Sequence, residues 1–310
     1  LTGDEAKIIT LTITEGGYNT NPANGEFNLN NQAVQDDIKN LKHPKTVFGI
    51  ICEALRRRKE RNLRGFTILS CDNLQGNGKI AKKSFTAFAK AVDPSLYEWM
   101  LKNVSFPNCM VDRITPVTTN EDRKMTSDKL GITDQWPVVS EDFFQWVVED
   151  NFVAGRPPFE KAGVQIVKDV EPYEFMKLRL INAGHQLIAY FGLLIDYIFV
   201  HDVMNFELIA NYLRDYLEKE ATSTLQPVDG INVAEYKAKI IQRFQNPHVK
   251  DTLARLAVDG SDRVFKFVIP VIVDRLANNQ SIYLSTAIVA SFAYYINGLT
   301  EKGYEIEIVD

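Results

Sequence analysis

The stretch KLRLINAGHQ, residues 177–186, gathers more chemically useful side chains than any other part of the sequence. Successive side chains of an α-helix are rotated by about 100°, so placing Lys177 at 0° puts His185 at about 80° and Asn182 at about 140°. Glu174, one turn earlier, lies at about 60°. An amine, an imidazole, an amide and a carboxylate are therefore predicted to share roughly 140° of one helical face.

A helix is predicted here because Pro172 suits a first-turn position and the acidic Glu171 and Glu174 complement its N-terminal end. Gly184 weakens this prediction slightly, because glycine has low helix propensity. The spacing alone is also compatible with an ordinary structural role. In that interpretation Lys177 is a surface lysine and the histidine of this helix is a core residue with its hydrogen bonds satisfied.

The family resemblance given in the next paragraph implies the oxidation of a secondary alcohol, which needs a base for the hydroxyl proton and donors for the developing alkoxide. Lys177 is the candidate base, provided that burial or nearby cations lower its pKa. Glu174 would pass the proton toward solvent. Asn182 and Asn73 would hold the reacting oxygen with neutral amides, and His185 would bind and orient a hydroxyl.

The pattern Lys-x-x-x-x-Asn-x-x-His resembles the signature of the long-chain polyol dehydrogenases, a family of mannitol dehydrogenases and hexuronate reductases. Three more segments are similar to that family: LTITEGGYN at 11–19, SCDNLQGNG at 70–78 and VDRITP at 111–116. The four segments occur in the family's order, and among its members the mannitol 2-dehydrogenases are the most similar. The resemblance implies a metal-independent, monomeric enzyme that interconverts a polyol and a ketose with NAD, NADP not being excluded.

The resemblance also implies roles for residues outside the 177–186 stretch. Asp112 would accept hydrogen bonds from polyol hydroxyls, and Arg255 and Arg263 would donate to hydroxyls further along the substrate. Lys266 is an alternative to Arg263, and both arginines could instead form ordinary surface ion pairs. Near the nicotinamide end of the cofactor, the resemblance implies Glu15 and the glycine that follows it, Gly16, together with Asn73.

The predicted fold is α/β, with a partial Rossmann-like, mainly parallel sheet domain at 1–166 and a mostly helical substrate domain at 167–310. Strands at 7–13, 66–70 and 104–111 each end in a motif of the family, as expected where ligands bind open α/β sheets. Further strands at 136–139 and 143–148 are expected as an antiparallel addition at one edge. Helices are predicted at 46–61, 80–92, 94–102, 172–200, 206–220, 233–244, 262–277 and 283–297.

Other enzyme classes fit less well. Tyr173 and Lys177 have the Tyr-x-x-x-Lys spacing of short-chain dehydrogenases, but the nearest upstream serine is Ser140 and that family's glycine-rich start is absent. A zinc alcohol dehydrogenase needs converging cysteine and histidine ligands, and the histidines here are far apart in sequence. The basic run at 56–61 is predicted to be a solvated helix end rather than a phosphate site.

Composition restricts the partners. The formal net charge of −5 argues against a nucleic-acid partner. Three cysteines without CxxC spacing favour a reducing, cytoplasmic compartment over a disulfide framework. The most apolar run, 187–200, is too short to cross a membrane, so no membrane partner is expected.

The chain departs from the family at its start, which is Leu1, and it contains no GxGxxG motif. The expectation is a family member without roughly its first hundred residues, which carry the pyrophosphate-binding turn, and without a short C-terminal tail. Two alternatives therefore stay open. One is a hexuronate reductase, in which an arginine pairs with the substrate carboxylate. The other is a truncated, non-catalytic remnant that binds a polyol.

Overall fold

The computed structural model describes residues 1–21 and 24–310 and divides into two compact units. The first unit is Leu1–Val111 with Gln145–Glu171, and the second is Asp112–Phe144 with Pro172–Asp310. The first contains parallel strands and the second is mostly helical, which confirms the predicted fold class. The segment Asp112–Phe144 groups with the helical unit, whereas the boundary predicted at 166 assigns it to the first domain.

Short strands form two sheets. Strands β1 (Ile8–Leu11) and β2 (Thr67–Ser70) pair in parallel. Strands β3 (Cys109–Asp112), β4 (Gln145–Glu149) and β5 (Gln165–Val167) follow one another in the second sheet. The predicted position at the edge is wrong for the strand at 143–148, because β4 lies between β3 and β5, and β4 runs parallel to β5.

The strand predicted at 136–139 is also wrong, because this segment is irregular. Pro137 has no N–H to donate to a strand ladder. Its apolar neighbours Trp136 and Val138 are exposed, so no sheet face covers them.

The first unit also contains α1 (Gln32–Lys39), α2 (Val47–Glu60), α3 (Asn77–Val92), α4 (Pro94–Asn103) and 3-10 turns at Glu15–Tyr18 and Phe159–Ala162. Side chains satisfy the free N–H groups at the start of several helices: Thr46 accepts from Gly49, and Asp93 accepts from Ser95. Helix α1, which is eight residues long, was not among the predicted helices.

The basic run at the end of α2 is solvated only in part. Arg57 and Arg61 are exposed, as predicted. The prediction is wrong for Arg58, which is fully buried and donates from Nε to the Arg64 carbonyl (2.8 Å) and from Nη1 to the Leu1 carbonyl (3.0 Å). These bonds secure the start of the chain against α2, while Arg58 Nη2 is buried without a hydrogen-bond partner among the described residues.

Two buried polar side chains fix the carboxyl edge of the first unit. Asp72, just after β2, accepts from the backbone N–H of Thr14 (2.7 Å) and from the Tyr18 hydroxyl (2.6 Å). Asn77 donates to the carbonyls of Asp72 (3.1 Å) and Cys109 (2.8 Å) and accepts from the Cys109 N–H (3.0 Å). These bonds hold the turn after β1, the end of β2 and the start of β3 in fixed positions.

The second unit is built from helices, three of which contain π-helical segments. Its α-helices are α5 (Asn120–Leu130), α6 (Glu171–Lys177), α7 (Ala183–Leu194), α8 (Val200–Met204), α9 (Glu207–Asp215), α10 (Val233–Phe244), α11 (Leu253–Ala257), α12 (Gly260–Arg263), α13 (Ile269–Ala277) and α14 (Tyr283–Tyr295). The π segments are Leu178–Asn182, Tyr216–Ala221 and Val264–Val268, and Thr222–Thr224 is a 3-10 turn. Within residues 1–21 and 24–310, no helix is long and apolar enough to span a membrane.

The Asn77 contacts lead to a stability prediction. Asn77→Ala should lower the free energy of unfolding of the first unit by about 1–3 kcal/mol, because the buried N–H and carbonyl of Cys109 lose their partner. Urea unfolding followed by circular dichroism measures this. Lys82→Ala, at an exposed position of the same helix, should change it by less than about 0.5 kcal/mol. Equal effects of the two substitutions would contradict the assignment.

Candidate active site

The helix that carries the motif is not a continuous α-helix. A π-helical segment, Leu178–Asn182, separates α6 from α7, and the Ala183 N–H donates to the Leu178 carbonyl five residues earlier. A π turn accommodates one extra residue, so everything after it is turned back by about 100° relative to a straight helix. With Lys177 at 0°, His185 then moves from about 80° to about −20°. Asn182 is the last residue of the π segment itself, so it moves in the same direction by part of this amount. The motif side chains therefore converge more closely than the sequence predicts.

Lys177 and Glu174 are both buried, with 8% and 6% of their surfaces exposed, while Asn182 is partly buried. A lysine and a glutamate are almost never buried without partners, and both side chains take part in interactions here. The interpretation of Lys177 as a solvated surface lysine is therefore wrong. The burial matches what a lysine base requires, although its catalytic role stays a prediction.

His185 is partly buried, and its Nε2 atom is inaccessible to solvent. Among the residues that the structure describes, Nε2 has no hydrogen-bond partner. Buried polar atoms are nearly always paired, and an exception calls for an explanation. The interpretation of His185 as a core histidine with satisfied hydrogen bonds therefore does not hold for Nε2, which is a buried ring nitrogen without a hydrogen-bond partner among the described residues.

Positive charges surround the imidazole. Burial lowers the pKa of His185 well below its usual range, and the charges of Arg255, Arg243, Arg263 and Lys177 lower it further. His185 is therefore a neutral imidazole at physiological pH. The structure thus brings together three residues predicted for the site, Lys177, Arg255 and Arg263, around the predicted histidine.

The glycine before the histidine has a packing role. A Cβ atom added to Gly184 would lie 3.1 Å from Leu213 Cδ1 and 3.7 Å from Phe244 Cε2. The Phe244 ring also stacks on the His185 ring, with centroids 4.3 Å apart and an interplanar angle of 23°. The glycine that weakens the helix prediction thus allows Phe244 and Leu213 to approach the helix.

The predicted substrate-binding cations have protein partners. Arg255 donates to both carboxylate oxygens of the buried Asp251, at 2.6 Å each. Arg263 donates from Nη1 to the Leu256 carbonyl (3.0 Å). Lys266, the alternative to Arg263, forms an exposed ion pair with Asp262 at 2.6 Å.

Asp112 lies in a buried ionic cluster that the sequence analysis did not anticipate. Arg243 donates to both Asp112 oxygens (2.7 and 3.0 Å) and to both Glu141 oxygens (2.8 and 3.0 Å for the closest contacts). Its guanidinium carbon lies 4.0 Å from the centre of the Phe143 ring. The sequence analysis missed Arg243, Glu141 and Phe244 because none belongs to a recognised motif. Arg243 and Glu141 are also 102 residues apart in sequence.

The predicted cofactor residues lie at the carboxyl edge of the first unit. Glu15 and Gly16 are exposed in the 3-10 turn after β1, and Asn73 is exposed just after β2. A Cβ atom added to Gly16 would meet nothing within 4 Å. Asp72 fixes the backbone of this turn at Thr14, whose φ of 66° is unusual for a residue other than glycine.

No group of three or more His, Cys, Asp or Glu side chains suited to a metal ion occurs in the described ranges 1–21 and 24–310. Cys52, Cys71 and Cys109 are all free thiols.

Comparison with known proteins supplies the family. The profile of the mannitol dehydrogenase Rossmann domain matches residues 3–161, and that of the mannitol dehydrogenase C-terminal domain matches residues 169–310. The chain belongs to the mannitol dehydrogenase family. This confirms the family that the four sequence segments predict.

Individual relatives of known name also belong to the mannitol or polyol dehydrogenases. The chain is 41% identical over 297 residues to the polyol:NADP oxidoreductase of Gluconobacter oxydans, covering 96% of this chain and 61% of the relative. It is 39% identical over 311 residues to the mannitol 2-dehydrogenase of Neosartorya fischeri, covering 99% and 62%. The chain thus spans less than two thirds of the length of these relatives.

Two solved structures share the fold. One is Pseudomonas fluorescens mannitol 2-dehydrogenase in a ternary complex with NAD and D-mannitol, at 44% identity and a TM-score of 0.87, covering 100% of this chain and 63% of that one. The other is a substrate-free D-sorbitol dehydrogenase, at 41% identity and a TM-score of 0.94, covering 99% and 64%.

The neutral state of His185 leads to a prediction about pH. An unfolded histidine binds a proton near pH 6.5, whereas folded His185 does so only at much lower pH. Between these values the unfolded state holds more protons, so stability falls as the pH is lowered below about 6.5. His185→Gln should remove up to about 1.4 kcal/mol of this loss per pH unit, as measured by urea unfolding between pH 5 and 7.

The matched control is His248→Gln, which replaces an exposed histidine of the same unit. An equal flattening of the profile by both substitutions would show that the buried, cation-rich position of His185 is not its cause.

Proposed function

We propose that this chain acts in the interconversion of a polyol and a ketose of the mannitol and fructose type, with a nicotinamide cofactor. The observation that carries the proposal is the unpartnered Nε2 atom of His185, whose electrostatic surroundings include Arg255, Arg263 and the buried Lys177. Such a position suits an uncharged hydroxyl. The mannitol and polyol dehydrogenases related to this chain support the same chemistry.

In the proposed reaction, Lys177 takes the proton of the substrate hydroxyl. A base must be in its amine form to do this, so the proposal requires surroundings that disfavour the charged ammonium group. Glu174, one turn away on α6 and also buried, would carry the proton onward. Asn182 would donate to the oxygen as negative charge develops, and Asn73 stays the predicted second amide donor.

A bound nicotinamide would supply the hydride acceptor in the oxidation direction. The carboxyl edge of the first unit fits such a cofactor, because Gly16 is open to close approach and Asp72 holds the turn in place. Glu15 and Asn73 are the other residues proposed to contact it. We propose NAD, which the Pseudomonas fluorescens complex contains, and NADP is the alternative in view of the Gluconobacter oxydans relative.

One contact favours a polyol over a hexuronate. A hexuronate carboxylate would need a cationic partner, for which the double hydrogen bond of an arginine is the strongest choice. Arg255 already makes such a pair with Asp251. The monomeric state and the cytoplasmic location given above stay predictions.

The first test offers NADH to this chain together with fructose, fructuronate or tagaturonate in turn, and follows the absorbance of NADH. We expect NADH oxidation with fructose alone. Oxidation with a hexuronate would overturn the substrate assignment. A folded protein that is inactive with all three, yet binds mannitol in calorimetry, would favour the polyol-binding remnant.

The second test removes the proposed base. Lys177→Ala should lower kcat/KM for mannitol oxidation by about 10²- to 10⁴-fold, the usual contribution of a general base. Lys239→Ala, which replaces an exposed lysine of the same unit, serves as the control and should leave kcat/KM unchanged. Near-normal turnover by the Lys177→Ala protein would exclude Lys177 as the base.

A further inference from the structure

Phe244, at the end of α10, makes a close and specific contact with the candidate site. Its buried ring lies parallel to the His185 imidazole, with centroids 4.3 Å apart, and it also packs against Gly184. We propose that Phe244 is a positioning residue that fixes the plane of the His185 ring, and that Arg243 holds Phe244 in place. The inference rests on the proposed function as far as the substrate is concerned.

The stacking is important for the orientation of the His185 ring, because no hydrogen bond to Nε2 fixes that orientation among the described residues. A histidine that binds a ligand is normally oriented by a hydrogen bond from its second nitrogen or by its surroundings. Both ring nitrogens direct their hydrogen bonds within the plane of the ring, so an aromatic surface parallel to that plane limits where Nε2 points. Gly184 contributes by leaving room for the Phe244 ring.

Arg243 fixes the position of Phe244. The last turn of a helix tends to fray, but Arg243 is the residue immediately before Phe244 and is itself buried. Its guanidinium donates to both oxygens of Asp112 and of Glu141, and one of its faces covers the Phe143 ring. The planar, five-donor shape of arginine satisfies both carboxylates at once, which a lysine could not do.

The same contacts give Asp112 a role that differs from direct binding of substrate. Both of its oxygens are engaged by Arg243, and its side chain is almost completely buried. In this arrangement Asp112 acts on the site through Arg243, Phe244 and His185. A substitution at Asp112 would then affect substrate binding indirectly.

The first measurement follows His185 directly and needs no turnover. In protein carrying ¹³C-labelled histidine, the His185 Cε1–H signal, assigned with His185→Gln, should move when Phe244→Leu removes the aromatic ring above it. Phe244→Tyr keeps the ring and should leave the signal near its original position. Arg243→Lys should shift the signal and broaden it, because Phe244 loses its fixed position, whereas Lys239→Ala on the same helix should not.

The second measurement separates positioning from a general loss of structure. With mannitol as substrate, Phe244→Leu should raise KM about tenfold or more while kcat falls less, since a misplaced binding group weakens substrate capture. Phe244→Tyr should restore most of the KM. Circular dichroism and thermal unfolding confirm that each variant is folded.

The outcomes are distinguishable from those of the proposed function. A wild-type protein without any polyol activity would refute the function, and the His185 signal would still test the contact. An unchanged His185 signal in Phe244→Leu would overturn the role of Phe244. A shifted signal in Phe244→Leu together with an unchanged one in Arg243→Lys would overturn the role of Arg243.

Discussion

The helical unit depends on the guanidinium group of Arg243, which joins α10 to Asp112 and Glu141 across 131 and 102 residues of sequence. Burial disfavours its charged form, but the hydrogen bonds and charge of Asp112, followed by those of Glu141, outweigh this effect and raise the pKa of Arg243. Removing one partner of a buried ion pair typically costs about 3–5 kcal/mol, because a charge is left without compensation. This cluster explains why the segment Asp112–Phe144 groups with the helices and not with the sheet that precedes it in sequence.

The π turn at Leu178–Asn182 is the second constraint, because it brings residues on either side of it onto one face of the helix. Such turns are rare in α-helices and occur frequently at functional sites. Here the turn contacts the other two π segments of the unit, Tyr216–Ala221 and Val264–Val268. The Tyr216 hydroxyl donates to the Arg179 carbonyl (3.1 Å) within the turn. Packing from neighbouring helices thus supports a backbone form that isolated helical propensity would not favour.

Features that depend on residues close together in sequence could be predicted, whereas features that depend on contacts between distant residues could not. Helix α10 was predictable at both ends, because Asn232 caps it and its apolar positions have a helical period. The spacing of Lys177, Asn182 and His185 likewise predicted a site, since the motif is local, and the roles of these residues stay predictions. Three features depend on contacts between distant segments: the π turn, the partner of Asp112 and the stacking of the Phe244 ring. Patterns in a single sequence do not predict such contacts. The failed strand at 136–139 is the opposite case, in which apolar residues matched a local pattern without any sheet to join.

The charges near His185 are relevant to the proposed alcohol oxidation. Burial, and after it the charges of Arg255, Arg243, Arg263 and Lys177, lowers the pKa of His185 and disfavours an imidazolium there. The same field acts differently on the substrate during reaction. A polyol is uncharged in its ground state and gains little from nearby cations, whereas the alkoxide that forms as its proton leaves is stabilised by them. Interactions that strengthen only as charge develops lower the barrier without tightening the binding of substrate. A neutral histidine that binds a hydroxyl and has cations around it is therefore suited to alcohol oxidation. The charges that stabilise the alkoxide are the same ones that disfavour protonation of the histidine.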